Sequence, residues 1–355
     1  MDGSSAKLNK TIVILTPGFP SDEADTTCIP TLQDYVATLH SDFPGLQIIV
    51  LTFQYPYRAG WYKWSGIDVF SARGKDSKIF RLNTWMKIRT QLKRIHRRKG
   101  IDILHSFWLS EASLLAQQFA RSRNIKHIAT LFGQDALPSN KYLRVLNLSS
   151  MTIIANSEFT SRTLYKSTHH RPQQTIHFGL IAEKINNAPV TERAYDIIGV
   201  GSLIKLKNYP LFLEIIGEVK RDHPRIKALL IGEGYQRNKI EGLIRETGLQ
   251  DTIEMKGSLP RNEVFNYLGQ SKIFLHTSGY ESAGYVFLES LAYGCELVCF
   301  DIGFVPPTAK SHVCSGKDEM IQQIKSLLAQ KLNYEPVTVP TMNETVQKFA
   351  ALYSL

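Results

Sequence analysis

Strand-like and helix-like stretches alternate along this chain from residue 11 to residue 300, and that alternation restricts its fold more than any other feature. Short runs rich in Ile, Leu, Val and Phe recur at 11–16, 46–53, 103–107, 127–132 and 151–155, and again at 196–200, 227–231, 253–256, 273–277 and 297–300. Between them lie helical patterns at 31–40, 85–99 and 111–123, then at 210–222, 235–247, 261–270 and 284–293. Strands separated by helices form parallel sheets with crossover connections, so the expected class is α/β. A chain of 355 residues also exceeds what one hydrophobic core usually supports. Two doubly wound, Rossmann-like domains are expected, at 1–185 and 186–340. The polar stretch 183–193, with Asn186-Asn187-Ala188-Pro189, reads as the linker. A last segment, 341–355, has Val346, Phe349, Ala350 and Leu352 spaced for a short packing helix.

Hydrophobic content of 43% is that of a globular protein, which excludes a disordered chain. No apolar run approaches the roughly 18–20 residues of a membrane-spanning helix, and residues 1–10 lack the apolar core of a secretory signal. Cys28, Cys295, Cys299 and Cys314 have no Cys-x2-Cys metal spacing and read as thiols of a reducing cytoplasm. The net charge of +10 points to an anionic partner. Its densest patch is 87–99, where Ile88, Leu92 and Ile95 recur at i, i+4, i+7. This is an amphipathic helix with a basic outer face. It reads either as a solvated face or as a peripheral contact with an anionic inner-leaflet membrane or a lipid-diphosphate acceptor. Without aromatics in the basic run, nucleic acid is not expected.

The segment from Gly279 to Gly294 carries the most specific chemistry. Glu281 and Glu289 lie eight positions apart, straddling the small-residue turn Ser282-Ala283-Gly284 that opens into an apolar helix. A strand, a turn and a helix start make a place for a phosphate, because unpaired N–H groups and the positive dipole end face the loop. Carboxylates would repel the phosphate itself and therefore suit neutral hydroxyls on either side of it.

This segment resembles the Glu-x7-Glu motif of the retaining glycosyltransferases of family 4, which have the GT-B fold. Leu288-Glu289-Ser290-Leu291-Ala292-Tyr293-Gly294 also follows that family's continuation, with Glu296 where the family often has Pro. Further turns match in order. Gly199-Val200-Gly201-Ser202 through Lys207 resembles the loop in which an Arg and a Lys grip the diphosphate. Lys207 stands at the Lys position, and Ser202 replaces the Arg. Gly232-Glu233-Gly234 resembles the Gly-acid-Gly turn, and Gly257-Ser258-Leu259-Pro260 the loop that meets the base. In the first half, Gly18 follows the opening strand where close backbone approach is needed, and His105 is placed at a strand end facing the cleft. Thr130-Leu131-Phe132-Gly133-Gln134-Asp135 resembles a Thr-x-His-Gly-x-Asp loop, with Phe132 in place of the histidine.

The resemblance implies GT-B domains facing across a cleft, with the terminal helix returning to the N-terminal domain. It implies a retaining glycosyltransferase of hexosyl type, acting on a saccharide or lipid-linked acceptor in cell-surface polysaccharide synthesis. Glu281 and Lys207 would be catalytic. Gly18, Gly201, Ser202, Lys207, Gly234, Ser258, Ser282, Ala283, Gly284, Tyr285 and Glu289 would bind the nucleotide sugar. His105, Phe132, Gly133 and Asp135 would lie on the acceptor side. The co-substrate would be a nucleoside-diphosphate sugar, uridine in preference to guanosine, with no other cofactor. The absence of an Asp-x-Asp pair agrees with metal-independent chemistry. A nucleotide-sugar epimerase of the same fold and a catalytically silent GT-B binding module remain as alternatives. The aromatic loop Tyr55-Pro56-Tyr57 with Trp61, Tyr62 and Trp64 reads as a sugar platform, a membrane-interface element or a local core.

Overall fold

A computed structural model of the chain describes residues 10–75, 77, 79–181 and 193–355. It divides into two compact units, one of Met1–Phe178 with Met342–Leu355 and one of Gly179–Thr341. The expected boundary at 185/186 and most of the expected linker lie outside the described residues.

The first unit holds an eight-stranded sheet. Its elements are β1 (Thr11–Gly18), α1 (Pro30–Asp42), β2 (Gln47–Tyr55), β3 (Gly60–Trp64), β4 (Ile67–Ser71), α2 (Arg81–Lys99), β5 (Ile103–Phe107), α3 (Glu111–Arg123), β6 (Lys126–Thr130), β7 (Thr152–Ala155), α4 (Glu158–Thr168) and β8 (Gln174–Thr175). The strand order is β3-β4-β2-β1-β5-β6-β7-β8, parallel except for β3 against β4. Central strands read as continuous apolar runs because both sheet faces are covered. Helix α2 buries Ile88, Leu92 and Ile95 against Val13, Leu51 and Leu104 of the sheet, as its periodicity requires.

The aromatic loop is a hairpin. Ser65 and Gly66 both take positive φ, at 45° and 83°, which closes a two-residue turn between β3 and β4. Trp64 packs edge-on against Phe19 at 5.0 Å and is buried, whereas Trp61 rests on Phe70 at the outer edge.

The second unit comprises β9 (Tyr195–Val200), α5 (Tyr209–Asp222), β10 (Ala228–Ile231), α6 (Arg237–Glu246), β11 (Ile253–Gly257), α7 (Arg261–Gly269), β12 (Ser271–His276), α8 (Tyr285–Ala292), β13 (Glu296–Cys299), β14 (Ser311–Val313) and α9 (Lys317–Leu328). All six strands are parallel in the order β11-β10-β9-β12-β13-β14. The order reverses between β9 and β12, and in such sheets ligands bind beyond the carboxyl ends of the strands at that reversal. Sequence periodicity alone did not reveal β14 or α9. The final helix α10 (Met342–Tyr353) belongs to the first unit, where Phe349 packs on Tyr35 at 5.1 Å and Lys10 donates to the Tyr353 carbonyl at 3.1 Å.

Candidate donor site at the carboxyl edge of the second unit's sheet

The strand reversal brings the loop after β9 beside the loop after β12. Thr277 fixes that adjacency, its hydroxyl donating to the carbonyls of Lys207 and Asn208 at 3.1 and 3.2 Å. Lys207 Nζ then lies 2.6 Å from Glu281 Oε2, with both side chains more than four-fifths buried. The other Glu281 oxygen accepts the Ser282 N–H at 3.2 Å, and the Gly284 N–H also donates to this carboxylate. Burial opposes charge on Glu281, but Lys207 and then His276, with these hydrogen bonds, hold its carboxyl below the usual value. His276 ends β12 buried, with Nε2 3.7 Å from Glu281 and without a hydrogen-bond partner. Burial and then the charge of Lys207 push its pKa down to about 3, so it is neutral.

Gly284 starts α8 at φ +69°, a conformation that costs a β-carbon residue energy. Gly303 closes over the same turn at φ +64°. A Cβ there would meet the Gly284 nitrogen at 3.1 Å and Glu281 Cγ at 3.2 Å. Ser282, Ala283 and Tyr285 are half-buried around this start. Five residues inside the opening of α8, Glu289 is buried and meets Arg261, with Nε 3.0 Å and a terminal nitrogen 2.9 Å from Oε1. The Arg261 guanidinium also sits 5.2 Å from the Tyr285 ring centre.

Three expected glycines interlock. Gly201 and Gly232 have φ of +149° and +152°, and a Cβ on Gly232 would lie 1.9 Å from the Gly201 carbonyl oxygen. A Cβ on Gly234 would lie 2.4 Å from the Leu203 carbonyl oxygen. Only bare backbone lets the loops after β9 and β10 approach so closely. Ser202 and Ser258 lie exposed just beyond β9 and β11.

The structure therefore gathers Lys207, Glu281, Ser282, Ala283, Gly284, Tyr285 and Glu289 around one turn. Sequence reasoning missed Arg261, His276 and Gly303. Arg261 had a signal, because a cation in the first turn of a helix opposes the dipole and needs a compensating acid.

In the first unit, Gly18 ends β1 with room for a Cβ, its nearest contact being Cys28 Sγ at 3.5 Å. His105 departs from its expected place. It lies mid-strand in β5, fully buried, with Nδ1 2.5 Å from the Tyr353 hydroxyl and Nε2 2.7 Å from Thr130 Oγ1. Burial, then His127, pushes its pKa to about 3, so it joins a core network with α10 and does not stand at a strand end. Asp135 is also buried, accepting N–H groups of Leu109 and Gly133 at 2.8 Å and of Phe132 at 3.3 Å. It shapes the loop after β6. Phe132 packs edge-on against Trp108 and Phe178, and a Cβ on Gly133 would strike Trp108 Nε1 at 2.6 Å.

Residues 181–337 match the family described as glycosyl transferases group 1. The gpi3 subunit of phosphatidylinositol N-acetylglucosaminyltransferase from Schizosaccharomyces pombe is 23% identical over 327 residues, which cover 86% of this chain and 70% of that protein. The matching component of the Homo sapiens phosphatidylinositol N-acetylglucosaminyltransferase is 26% identical over 308 residues, 79% of this chain and 63% of its own length. Anabaena Alr3699/HepE, solved in complex with UDP and glucose, superposes with a TM-score of 0.67 at 14% identity, covering 97% of this chain and 99% of that one. The fold is GT-B.

Proposed function

We propose, because residues 181–337 match the group 1 glycosyl transferases, that this protein transfers a sugar from a nucleoside-diphosphate donor to an acceptor hydroxyl with retention of configuration. The observation that carries the reading is the double ion pair, Lys207 with Glu281 and Arg261 with Glu289, on either side of the α8 start. Glu289 accepts from the ribose hydroxyls and Glu281 from hydroxyls of the donor sugar. Lys207 and the N–H groups at Ser282 and Gly284 serve the diphosphate between them.

The Glu281 carboxylate holds that whole set of donors, so it lies where the diphosphate is proposed to bind. Binding a donor shifts Lys207 and the N–H groups onto the phosphates and turns Glu281 toward the sugar. Positive charge and oriented N–H groups then stabilise the negative charge that grows on the leaving diphosphate, the kind of preorganised term that is usually largest in catalysis. Neutral His276, buried with Nε2 3.7 Å from Glu281, adds no charge of its own to this site.

The reading needs no divalent ion. Uridine is the proposed base. The S. pombe and human relatives are named as components of a phosphatidylinositol N-acetylglucosaminyltransferase, which supports a lipid-linked acceptor and assembly with further chains. The test is a thermal-shift screen over nucleotides and nucleotide sugars, followed by transfer assays with the donor that stabilises most. A screen in which no uridine or guanosine nucleotide raises the unfolding temperature, with Glu281→Ala behaving identically, would remove the proposal.

A further inference from the structure

Helix α2 carries an outward stripe that the donor chemistry does not use. Its sequence, Arg81 to Lys99, holds Arg81, Lys87, Arg89, Lys93, Arg94, Arg97, Arg98 and Lys99 and no acidic residue. Lys99 reaches Asp68 at 3.7 Å, and Lys87 donates to the Ala72 carbonyl. Lys93, Arg94, Arg97 and Arg98 are exposed and form no ion pair among the described residues. Four uncompensated cations on two turns repel one another, a cost that an anionic partner removes.

The other half of the stripe is apolar. Ten large hydrophobic side chains are exposed among the described residues, and Ile79, Phe80, Leu82 and Met86 account for four of them. Leu82 is 72% exposed and Met86 59%. At about 100° per residue, Leu82, Met86, Lys93 and Arg97 fall within roughly 60° of one another, opposite the buried Ile88, Leu92 and Ile95. Lys93 and Arg97 therefore share one outward line with Leu82 and Met86, while Arg94 flanks it and Arg98 lies further round the helix. A cavity of about 300 Å³ beside it is lined by Arg73, Lys75, Phe80, Asn83, Thr84 and Lys87, which adds Arg73 and Lys75 to the cations of α2 next to an aromatic ring.

We propose that α2 docks this protein on an anionic lipid bilayer, with Ile79, Phe80, Leu82 and Met86 entering the headgroup–acyl boundary and Lys93, Arg94 and Arg97 resting on lipid phosphates. An amphipathic helix of this kind lies in the interface plane, held by buried apolar area and by attraction to anionic lipid. Nucleic acid fits less well, because the exposed apolar residues beside the cations are mostly aliphatic and do not stack on bases. An acidic protein would pair with the cations and leave Leu82 and Met86 without a role. The proposal stands apart from the donor reading, since it needs no nucleotide.

The experiment is co-sedimentation of the full chain with vesicles of phosphatidylcholine alone and with added phosphatidylserine, at physiological salt and at about 1 M, where the screening length drops to about 3 Å. The expected result is binding to the serine-containing vesicles only, released by salt. Each cation near such a surface is worth about a five-fold change in partitioning. Replacing Lys93, Arg94 and Arg97 together by Ala should thus lower binding on the order of 100-fold. Leu82→Ser with Met86→Ser should also weaken it, with salt sensitivity retained. UDP stabilisation measured on the same samples reports the fold and tests the donor reading separately. Equal binding to neutral vesicles, or wild-type binding by either variant, overturns the proposal and leaves the stripe to an acidic protein or to water.

Discussion

Lys207 and Glu281 are 74 residues apart in the chain and 2.6 Å apart in space, joined where β9 and β12 run side by side. The contact is an ion pair in which the acid also caps the turn into α8. In the proposed reaction that acid competes with the diphosphate for the same donors. Glu281→Ala should therefore abolish transfer while leaving UDP binding intact or several-fold tighter, because Lys207 and the turn N–H groups are released. Calorimetric titration with UDP beside a transfer assay checks this. Loss of UDP binding in the variant would contradict the competition.

Lys207→Ala removes the other partner. It should lower kcat/KM by roughly 100-fold or more, the usual cost of deleting one stabilising group at a developing negative charge. It should also destabilise the fold by about 3 kcal/mol, because a largely buried carboxylate loses its counter-charge. Glu281→Gln combined with Lys207→Ala should recover much of that stability and none of the activity. Denaturant titration of the single and double variants measures the coupling.

Arg261 acts through Glu289, so its loss should mark binding more than chemistry. Ribose contacts are made equally before and during transfer, and weakening them raises KM with kcat nearly unchanged. Arg261→Ala is expected to raise the donor KM about ten-fold and shift kcat by no more than about two-fold. Arg261→Lys should restore part of the affinity, since it keeps the charge but not the forked geometry. A fall in kcat with KM unchanged would place Arg261 in the reacting centre instead.

Two glycines in the same unit should respond oppositely to alanine. At Gly232, φ is +152° and the new Cβ would lie 1.9 Å from a carbonyl oxygen, so Gly232→Ala should cost several kcal/mol or prevent folding. Gly217 lies inside α5 with open space around it, so Gly217→Ala should stabilise by about 0.5–1 kcal/mol. Thermal unfolding of both variants decides whether the close approach of the loops after β9 and β10 is what requires glycine.

The contrast between those glycines shows what the sequence could and could not reveal. Glu281, Gly284 and Glu289 were legible because a strand, a turn and a helix start are local, and their spacing sets the geometry. The pairing of Lys207 with Glu281 was not, since it depends on which strands become neighbours. Arg261 with Glu289 was hidden for the same reason, 28 residues apart on successive helices. Strands β3 and β4 were missed because Tyr57, Trp61 and Trp64 around Ser65-Gly66 looked like an aromatic loop, although two positive-φ residues between β-formers signal a hairpin. His105 was misplaced because strand position alone does not tell whether a later helix covers it, and α10 arrives 248 residues further on to bond it.

Acid should loosen this protein well before its carboxylates protonate. His105, His127 and His276 are buried and neutral, with pKa values pushed from 6.5 to about 3 chiefly by desolvation. Between those values the unfolded chain takes up protons that the folded chain excludes. Their stabilisation is therefore complete above pH 6.5 and is lost as pH falls toward 3. Each group contributes a slope of about 1.4 kcal/mol per pH unit in that window. Glu281, held below its ordinary 4.5, adds a loss of the same sign that begins only below that value. Denaturant midpoints measured from pH 7 downward should fall steadily once pH 6.5 is passed. His276→Phe, beside the stacked ring of Phe274, should remove one histidine's share of that slope from the second unit's transition. An unchanged slope in that variant would mean that His276 takes up its proton inside the folded protein, and that water reaches it despite its burial.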